Sequence, residues 1–299
     1  MSLRRLELLV KEVRGSSDTA DINSLSPYEL MRYFNDGQKQ IQKIIFTANP
    51  SADIFVKQAL YNVRGSSEVS FDLPFNIYAH SSITAIHSMK DNKIAQTLTR
   101  VAYREKETLW GYAILDRKFV LTTAPQVSTV SDILLNFVYR LPTMSYRLAK
   151  VDSVVGQVVT ASDIVSDETF TERYDYYSIV DKYGKIKADA TNGGQSNQLL
   201  LDSFVGLDFT FEGDLTNVVA GDYIVCGDTG TSHSDLPPEC EPYLMTYVQR
   251  RILNKIASNE IASENIFTME ERADIEDLFK DTVKDALYPV SADTYYLGY

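Results

Sequence analysis

Apolar residues recur at intervals of three or four near both ends of the chain, a spacing that places them on one face of a helix. The pattern predicts four helices. The first covers residues 3–14, and the second begins at Ser26-Pro27-Tyr28-Glu29, where Ser26 and Glu29 suit a capping box and Pro27 suits the first turn. The third follows Pro237-Pro238. The fourth begins at a second capping sequence, Thr268-Met269-Glu270-Glu271.

Gly37 lies on the apolar stripe of the second predicted helix, between Phe34 and Ile41. A glycine inside a helix costs about 1 kcal/mol relative to alanine. The missing side chain would let another helix approach closely, and that contact would outweigh the cost. We therefore predict that Gly37, Phe34 and Ile41 form a helix-packing surface.

Between these helical regions the apolar residues follow the patterns of strands. Six strands are predicted in the first part, at residues 55–63, 68–73, 83–89, 110–115, 118–122 and 133–141. In the last of them every second residue from Ile133 to Leu141 is apolar. This alternation predicts a strand that is buried on one face only.

Residues 145–235 contain at least six more short apolar runs, among them residues 154–160, 176–180 and 223–226. Lys182-Tyr183-Gly184-Lys185 is typical of a hairpin turn. Short strands at this density favour a small barrel or sandwich. We interpret the region as a separate β-rich unit.

Length and cysteine content narrow the class of protein. A chain of 299 residues indicates two domains, or one domain with a large insertion. Two cysteines, Cys226 and Cys240, imply no disulfide framework, although a single bridge between them is possible, and they fit a reducing compartment. No apolar run approaches the roughly 18 residues of a membrane span. We expect a protein used in a cytoplasm, or in a particle assembled there.

The formal net charge of -12 argues against a general nucleic-acid-binding surface. The acidic residues are concentrated in the middle of the chain, because residues 150–235 carry 15 acidic and 5 basic side chains. One interpretation is a solvated, solubilising surface. The other is an acidic wall that keeps a second polyanion from sticking.

No catalytic or metal-binding motif stands out. The three histidines, His80, His87 and His233, lack metal-site spacing, and Ser232-His233-Ser234-Asp235 is interpreted as a polar linker. Asp189, Asn192 and the glycines that follow lack the spacing of a calcium loop. We therefore predict no catalytic residue, no metal, no cofactor and no enzymatic activity.

The last eleven residues, PVSADTYYLGY, hold three tyrosines in five positions. Exposed aromatic side chains in a terminal segment lower solubility unless something covers them. Two hypotheses follow. The tail folds back on its own chain, or it is a docking peptide whose tyrosines are buried on a partner.

Five segments in a fixed order resemble the head-to-tail adaptor (connector) proteins of tailed bacteriophages, which form the ring beneath the portal. The segments are SPYELMRYFNDGQKQIQKII, VSFDLPFNIYAHSSITAIHSM, GYAILDRKFVLTTAPQ, ILLNFVYRLP and LPPECEPYLMTYVQRRILNKIASNE. The family pattern falls at residues 33–38, 73–74, 112–115, 122–125 and 139–142. The resemblance covers about 200 residues and omits residues 145–235.

The resemblance implies an α+β fold in which the N- and C-terminal helices form a helical bundle beside an antiparallel β-domain, with a small β-barrel or sandwich domain inserted. The predicted parts are residues 1–50 (N-terminal helices), 51–144 (core β-domain), 145–235 (insertion), 236–288 (C-terminal helices) and 289–299 (an extended arm).

The resemblance also implies a virion structural protein, a closed ring of about twelve copies between the portal and a tail or nozzle protein. DNA would pass through the channel without specific binding. Tyr295, Tyr296, Leu297 and Tyr299 fall where the arm that docks on the portal should be. Two alternatives remain open, namely a tail-proximal stopper or tail-completion ring, and a glycan- or host-binding module in residues 145–235. In each case no membrane is involved, and assembly takes place in the host cytoplasm.

Overall fold

The computed structural model of the chain describes thirteen stretches. They are residues 6–16, 25, 27–49, 53–63, 69–74, 76–101, 111–122, 130–162, 177–188, 199–226, 230–256, 266–280 and 295–297. The chain divides into two compact units. Unit 1 contains Met1–Asn49, Leu141–Asn192 and Ser196–Asp281, and unit 2 contains Pro50–Arg140, Gly193–Gln195 and Thr282–Tyr299.

Among the described residues, four α-helices belong to unit 1. They are α1 (Leu6–Ser16), α2 (Pro27–Ala48), α3 (Glu241–Ile256) and α4 (Met269–Lys280). Helix α2 packs against the other three, and α1 also contacts α3. α1 buries the stripe that its spacing predicts, at Leu6, Leu9 and Val13. α3 and α4 bury most of theirs, but Ile256 near the end of α3 and Leu278 in α4 are exposed. The four predicted helices are therefore present.

The capping sequence of α4 has the predicted geometry. The Thr268 N–H donates to Glu271 Oε2 at 2.9 Å, and the Glu271 N–H donates to Thr268 Oγ1 at 3.2 Å. This reciprocal pair satisfies two backbone donors that a helix start leaves open. The capping box predicted at Thr268 is confirmed, whereas Ser26, which was predicted to cap α2, lies outside the described residues.

The largest sheet of unit 1 has seven strands in the order β13-β12-β16-β10-β11-β15-β14. Their bounds are β10 (Arg147–Val155), β11 (Val158–Ser162), β12 (Tyr177–Val180), β13 (Ile186–Ala188), β14 (Leu200–Val205), β15 (Asp208–Glu212) and β16 (Tyr223–Cys226). One face buries an apolar cluster that includes Val151, Tyr177, Phe209 and Phe211. All described pairings in this sheet are antiparallel.

Two turns of this sheet test the sequence interpretation. The hairpin predicted at Lys182–Lys185 joins β12 to β13, and Asp181 Oδ1 accepts hydrogen bonds from the Tyr183 and Lys185 N–H groups. The single strand predicted at residues 154–160 is wrong. Gly156 has a φ of 62°, in the left-handed region, and turns the chain between β10 and β11.

The described strands of unit 2 form two sheets. The first has five strands in the order β18-β1-β8-β3-β4, and the second has four in the order β2-β7-β6-β5. Their bounds are β1 (Val56–Asn62), β2 (Ser70–Asp72), β3 (Ile83–Lys90), β4 (Lys93–Thr97), β5 (Thr99–Arg100), β6 (Gly111–Leu115), β7 (Lys118–Leu121), β8 (Asp132–Val138) and β18 (Tyr295–Leu297). Tyr61 of β1 meets Phe71 and Phe119 in a buried aromatic cluster.

The central strand β8 corrects one prediction. Ile133, Leu135 and Phe137 are buried as expected, but Leu134 and Val138 on the opposite face are buried as well. A half-buried strand was therefore the wrong interpretation. β8 pairs with β1 on one side and with β3 on the other, and what covers its two faces is set by tertiary packing that its own alternation does not show.

The predicted fold class is wrong. Strands hold 42% of the described residues against 32% in helices, and the helices do not form a helical bundle made of the chain's two ends. They share one compact unit with the seven-stranded sheet, which is a curled sheet and not a barrel or sandwich. The error has a physical reason. Apolar periodicity shows that a helix face is buried, but it does not show against which element.

A pair of two-residue strands completes unit 1. β9 (Thr143–Met144) pairs in parallel with β17 (Gly230–Thr231). Residues near this pair contact α2, and these contacts form the centre of the site described next.

Candidate functional site

At Gly37 the helices α2 and α3 approach each other closely. A Cβ atom built on Gly37 would lie 2.8 Å from Leu244 Cδ1 and 2.8 Å from Tyr247 Cδ1. Carbon atoms in contact are ordinarily 3.5–4.0 Å apart, so even alanine would force these side chains to move. Phe34 and Ile41, one turn to either side, are completely buried. The three residues thus lie on a packed face of α2.

A row of three amide side chains on α2 binds the backbone of residues 141–144. Asn35 Nδ2 donates to the Met144 carbonyl at 2.8 Å, and the Met144 N–H donates to Asn35 Oδ1 at 2.7 Å. Gln38 Nε2 donates to the Pro142 carbonyl at 2.8 Å. The Leu141 N–H donates to Gln42 Oε1 at 3.3 Å. All three amides are buried, so these bonds satisfy backbone groups that water does not reach.

We call Asn35, Gly37 and Gln38, with their partners in residues 142–144 and in α3, the α2 junction. The sequence prediction found Gly37 but missed the three amide side chains on the same helix. A signal was present, since Asn35, Gln38 and Gln42 are uncharged polar residues three and four apart beside an apolar stripe. Such residues can bond buried backbone without the desolvation cost of a charge.

The segment Thr231–Ser234 extends this polar network. All four residues are buried, with exposed fractions between 0% and 9%. Ser234 Oγ donates to Gln38 Oε1 at 3.1 Å, and Ser232 Oγ lies 2.8 Å from His233 Nδ1. The interpretation of Ser232-His233-Ser234-Asp235 as a polar linker is therefore wrong for its first three residues. They are satisfied core residues, and Ser232 is inaccessible to a substrate.

At its N-terminal end α2 forms an ion pair with α3. Lys255 Nζ donates to both carboxylate oxygens of Glu29, and Tyr33 Oη donates to Glu29 Oε1 at 2.8 Å. Burial opposes ionisation of Glu29, but the hydrogen bonds from Lys255 and Tyr33 outweigh it and lower the pKa of the carboxyl. Burial and the same carboxylate raise the pKa of Tyr33 to about 12.

A second ion pair ties α3 to α4. Arg250 donates to Glu271 Oε2 at 2.5 Å and to Oε1 at 2.7 Å, the two-pronged geometry that suits a guanidinium. Burial opposes ionisation here too, and the Arg250 bonds together with Thr268 lower the pKa of Glu271. Both pairs join one helix of unit 1 to another.

The C-terminal segment lies in unit 2. Tyr295, Tyr296 and Leu297 form β18, which pairs in parallel with Ala59, Leu60 and Tyr61 of β1. β18 is the edge strand of its five-stranded sheet. Tyr299 lies outside the described residues. Of the two hypotheses for the tail, the structure of this chain alone contains the folded-back form.

The neighbouring strands β11, β15 and β14 form an acidic part of the curled sheet. They contain no lysine or arginine, and Asp202, Asp208 and Glu212 on them are exposed. The turn between β14 and β15 is apolar and open, because Val205 is 74% and Leu207 is 55% exposed. The exposed carboxylates disfavour the approach of an anion. The open apolar turn between β14 and β15 can contact an apolar partner.

The remaining reactive groups form no centre in the described part of the chain. Cys226 and Cys240 are free and buried, and burial raises the pKa of the Cys240 thiol to about 12, which keeps it protonated. His87 Nδ1 lies 2.9 Å from Thr97 Oγ1, and burial lowers the pKa of its ring. Asp189 and Asn192 lie outside the described residues.

Metal and membrane binding can be assessed for the same residues. Within the thirteen described stretches, no three His, Cys, Asp or Glu side chains are grouped closely enough to hold a metal ion. Every helix described in the chain is too short or too polar to cross a bilayer.

Comparison with known proteins adds no relative. No family model matches the chain, and neither does any curated protein.

Proposed function

We propose that this chain is a subunit of the head-to-tail connector of a tailed bacteriophage, an adaptor ring between the portal and the tail. The observation that carries the proposal is the fixed order of the five adaptor-like segments along the chain. The subunit would be a structural component of the virion neck without enzymatic activity, assembled in the host cytoplasm into a closed ring of about twelve copies. Rings of this kind form when one surface of a subunit binds a different surface of the next.

The α2 junction supports this use of the resemblance. Three of the five segments meet there. Residues 33–38 supply Asn35, Gly37 and Gln38, the segment ending at Pro142 supplies the carbonyl that Gln38 binds, and the last segment supplies Leu244 and Tyr247. Positions that lie far apart in sequence but contact one another have a shared structural purpose. We therefore give the three segments together more weight than three short motifs that do not touch one another.

The acidic part of the curled sheet supports a role beside DNA that does not involve binding it. Phosphate binding needs clustered basic side chains, and β11, β14 and β15 carry none. A channel wall with this charge would let DNA pass without retaining it. We propose that this face of the sheet borders the channel.

The C-terminal arm, residues 289–299, would dock on the portal through Tyr295, Tyr296, Leu297 and Tyr299. Tyrosine is enriched at the energetic centres of interfaces because one ring buries a large apolar area and still offers a hydroxyl group. In the ring, the tail or nozzle protein would bind the opposite side.

The arm can be tested by deleting residues 289–299 and mixing the truncated chain with portal-bearing heads that lack this protein. We expect a folded subunit that no longer attaches, measured by sedimentation with the heads and by negative-stain imaging of the neck. Tyr183→Ala is the matched control, since it removes a 63% exposed tyrosine from unit 1, and it should attach like the unaltered chain.

The outcomes separate the alternatives. Normal attachment of the truncated chain would overturn the docking arm. If truncated chains still attach to heads but the heads then fail to acquire tails, the tail-proximal stopper ring is the better assignment. If the full-length chain attaches to neither heads nor tails, the connector proposal is wrong.

A further inference from the structure

The strand β18 occupies a defined place on the edge of a sheet. Ala59 pairs with Tyr295, Leu60 with Tyr296 and Tyr61 with Leu297, and the two strands run in the same direction. On its other side β1 pairs with β8 along all seven of its residues. The outer edge of β1 therefore offers its backbone N–H and C=O groups to a further strand, and β18 uses only three residues of it.

The composition of β1 leaves this edge unprotected when β18 is absent. Edge strands are commonly guarded by charged side chains that discourage pairing with other chains. The sequence of β1, VKQALYN, has a single charged residue, Lys57. The Lys57 ammonium group lies over the Tyr139 ring, 4.1 Å from its centroid. The stretch that β18 covers, Ala59 to Tyr61, carries no charge.

Few residues of β18 pair with the sheet, and a long segment of chain connects β18 to α4. Three residues are fewer than the five or six of a typical strand, and the segment has no strand partner other than β1 among the described residues. Residues 281–294 separate it from the end of α4. An extended chain spans about 3.3–3.6 Å per residue, so fourteen residues can reach roughly 45 Å. Another surface within that distance can compete for the same segment.

We propose that the outer edge of β1 at Ala59–Tyr61 is a strand-binding site for an extended peptide, and that its ligand is the chain's own C-terminal segment, which leaves the site when it docks on a partner. The release step rests on the proposed function, and the binding site does not. Backbone pairing at a sheet edge is a general mode of peptide recognition, in which main-chain hydrogen bonds supply the affinity. The free subunit stores the arm on its own sheet.

The site can be tested with a peptide added to a vacated edge. The chain truncated after Val290 is purified, and its folding is checked by circular dichroism and thermal unfolding. The probe is a fluorescein-labelled peptide with the sequence of residues 291–299, SADTYYLGY, and its binding is followed by fluorescence anisotropy. We expect the peptide to bind the truncated chain at least tenfold more tightly than the full-length chain, whose edge is already filled.

A matched control peptide carries the substitutions Tyr295→Pro and Tyr296→Pro, and the chain that carries both is called the proline variant. In a parallel pair every second residue directs its N–H group toward the neighbouring strand, so one of the two prolines removes a needed donor. This peptide should bind at least tenfold more weakly than the probe. Equal binding of the probe to the truncated and full-length chains, equal binding of the two peptides, or no binding of the probe would overturn the site. The peptide experiment requires a folded truncated chain. Hydrogen exchange on the full-length chain therefore provides a second measurement, which tests the strand-binding site without truncation.

That measurement follows the backbone amides of Val56–Asn62 by mass spectrometry. In the free full-length chain, saturating probe peptide should leave their exchange unchanged, because the edge is filled. The full-length proline variant, with Tyr295→Pro and Tyr296→Pro, should exchange faster there. Equal exchange in the proline variant and the unaltered chain would overturn the site.

Release is tested by the same amides in the complex with a purified portal ring. We expect their exchange to rise to the level of the proline variant, and exchange that stays at the level of the free chain would overturn release. If no complex forms, the proposed function fails and release fails with it, whereas the strand-binding site is still decided by the peptide and by the proline variant.

Discussion

The α2 junction and the β18 pairing are both contacts between distant parts of the chain, but they differ in what surrounds them. At the junction, amide groups and a missing Cβ meet buried backbone and buried side chains. At β18, three residues add to the outer edge of a sheet through backbone pairing. If the amide bonds of the junction are lost, buried backbone groups are left unsatisfied, because water does not reach them. If β18 leaves, the backbone groups at the sheet edge can bond to water instead.

This difference explains why the sequence predicts the contact of Gly37 but not the place where the C-terminal tyrosines lie. A glycine on an apolar helix stripe requires a close neighbour, and the chain itself supplies one in Leu244 and Tyr247. Tyrosines in a terminal segment require only that something cover them. The same residues are therefore compatible with a folded-back strand, which the chain contains, and with the docked arm that we propose.

The largest effect is expected from Asn35→Ala. The change removes both hydrogen bonds to Met144 and leaves its buried N–H and C=O groups without the partner they now have. An unsatisfied buried polar group costs about 1–3 kcal/mol, so we expect the free energy of unfolding to fall by about 3 kcal/mol. Urea denaturation followed by circular dichroism measures it.

Lys39→Ala is the matched control on the same helix, because Lys39 is exposed and surface substitutions usually change stability by less than about 0.5 kcal/mol. Deleting residues 289–299 removes the β18 pairing, and its effect on the free energy of unfolding is compared with that of Asn35→Ala. If Asn35→Ala costs no more than that deletion, the distinction between a buried junction and a replaceable edge strand is wrong.

A smaller effect is expected at Gly37, where two glycines can be compared directly. Gly37→Leu overpacks the contact with α3 and should cost about 1–3 kcal/mol. Gly15, the last residue but one of α1, has no atom within 4 Å of a built Cβ, so Gly15→Ala meets no clash and should change stability by less than about 0.5 kcal/mol. Thermal unfolding measures both, and a Gly37→Leu chain as stable as the unaltered one would show that the helices are not closely packed there.

The smallest effect concerns the partly exposed Glu29–Lys255 pair. The pKa of Glu29 is lowered below its ordinary value of 4.5 in the folded chain. Its contribution to stability is therefore complete above that value and is lost as the pH falls through the folded pKa. Lys255→Met should lower stability at pH 7 by about 0.5 kcal/mol and reduce the loss between neutral and acidic pH.

The check is the difference in unfolding free energy between the Lys255→Met chain and the unaltered chain, measured from pH 7 down to pH 3. Lys39→Met removes the same charge from an exposed position and should not change the pH dependence. A difference that stays constant over the whole pH range would mean that Glu29 is not stabilised by Lys255.

The residue pattern was enough to predict those elements that interactions between near neighbours in sequence determine. The capping box at Thr268, the hairpin at Lys182–Lys185 and the strand at Tyr223–Cys226 depend on residues within a few positions of one another. The strand predicted across Gly156 failed because apolar residues continue on both sides of a turn that one glycine makes. The burial of β8 on both faces also needed knowledge of its neighbours.

By itself the sequence determined where helices and most strands lie, which face of α2 is buried, that Gly37 needs a close neighbour, and that the middle of the chain is acidic. Only the tertiary structure decided that the helices share a unit with a curled seven-stranded sheet, that Asn35 and Gln38 bind residues 142–144, and that the C-terminal strand lies on β1. The reason is physical. Periodicity and capping act over a few residues, whereas strand order and buried hydrogen bonds join residues that are, like Asn35 and Met144, 109 positions apart.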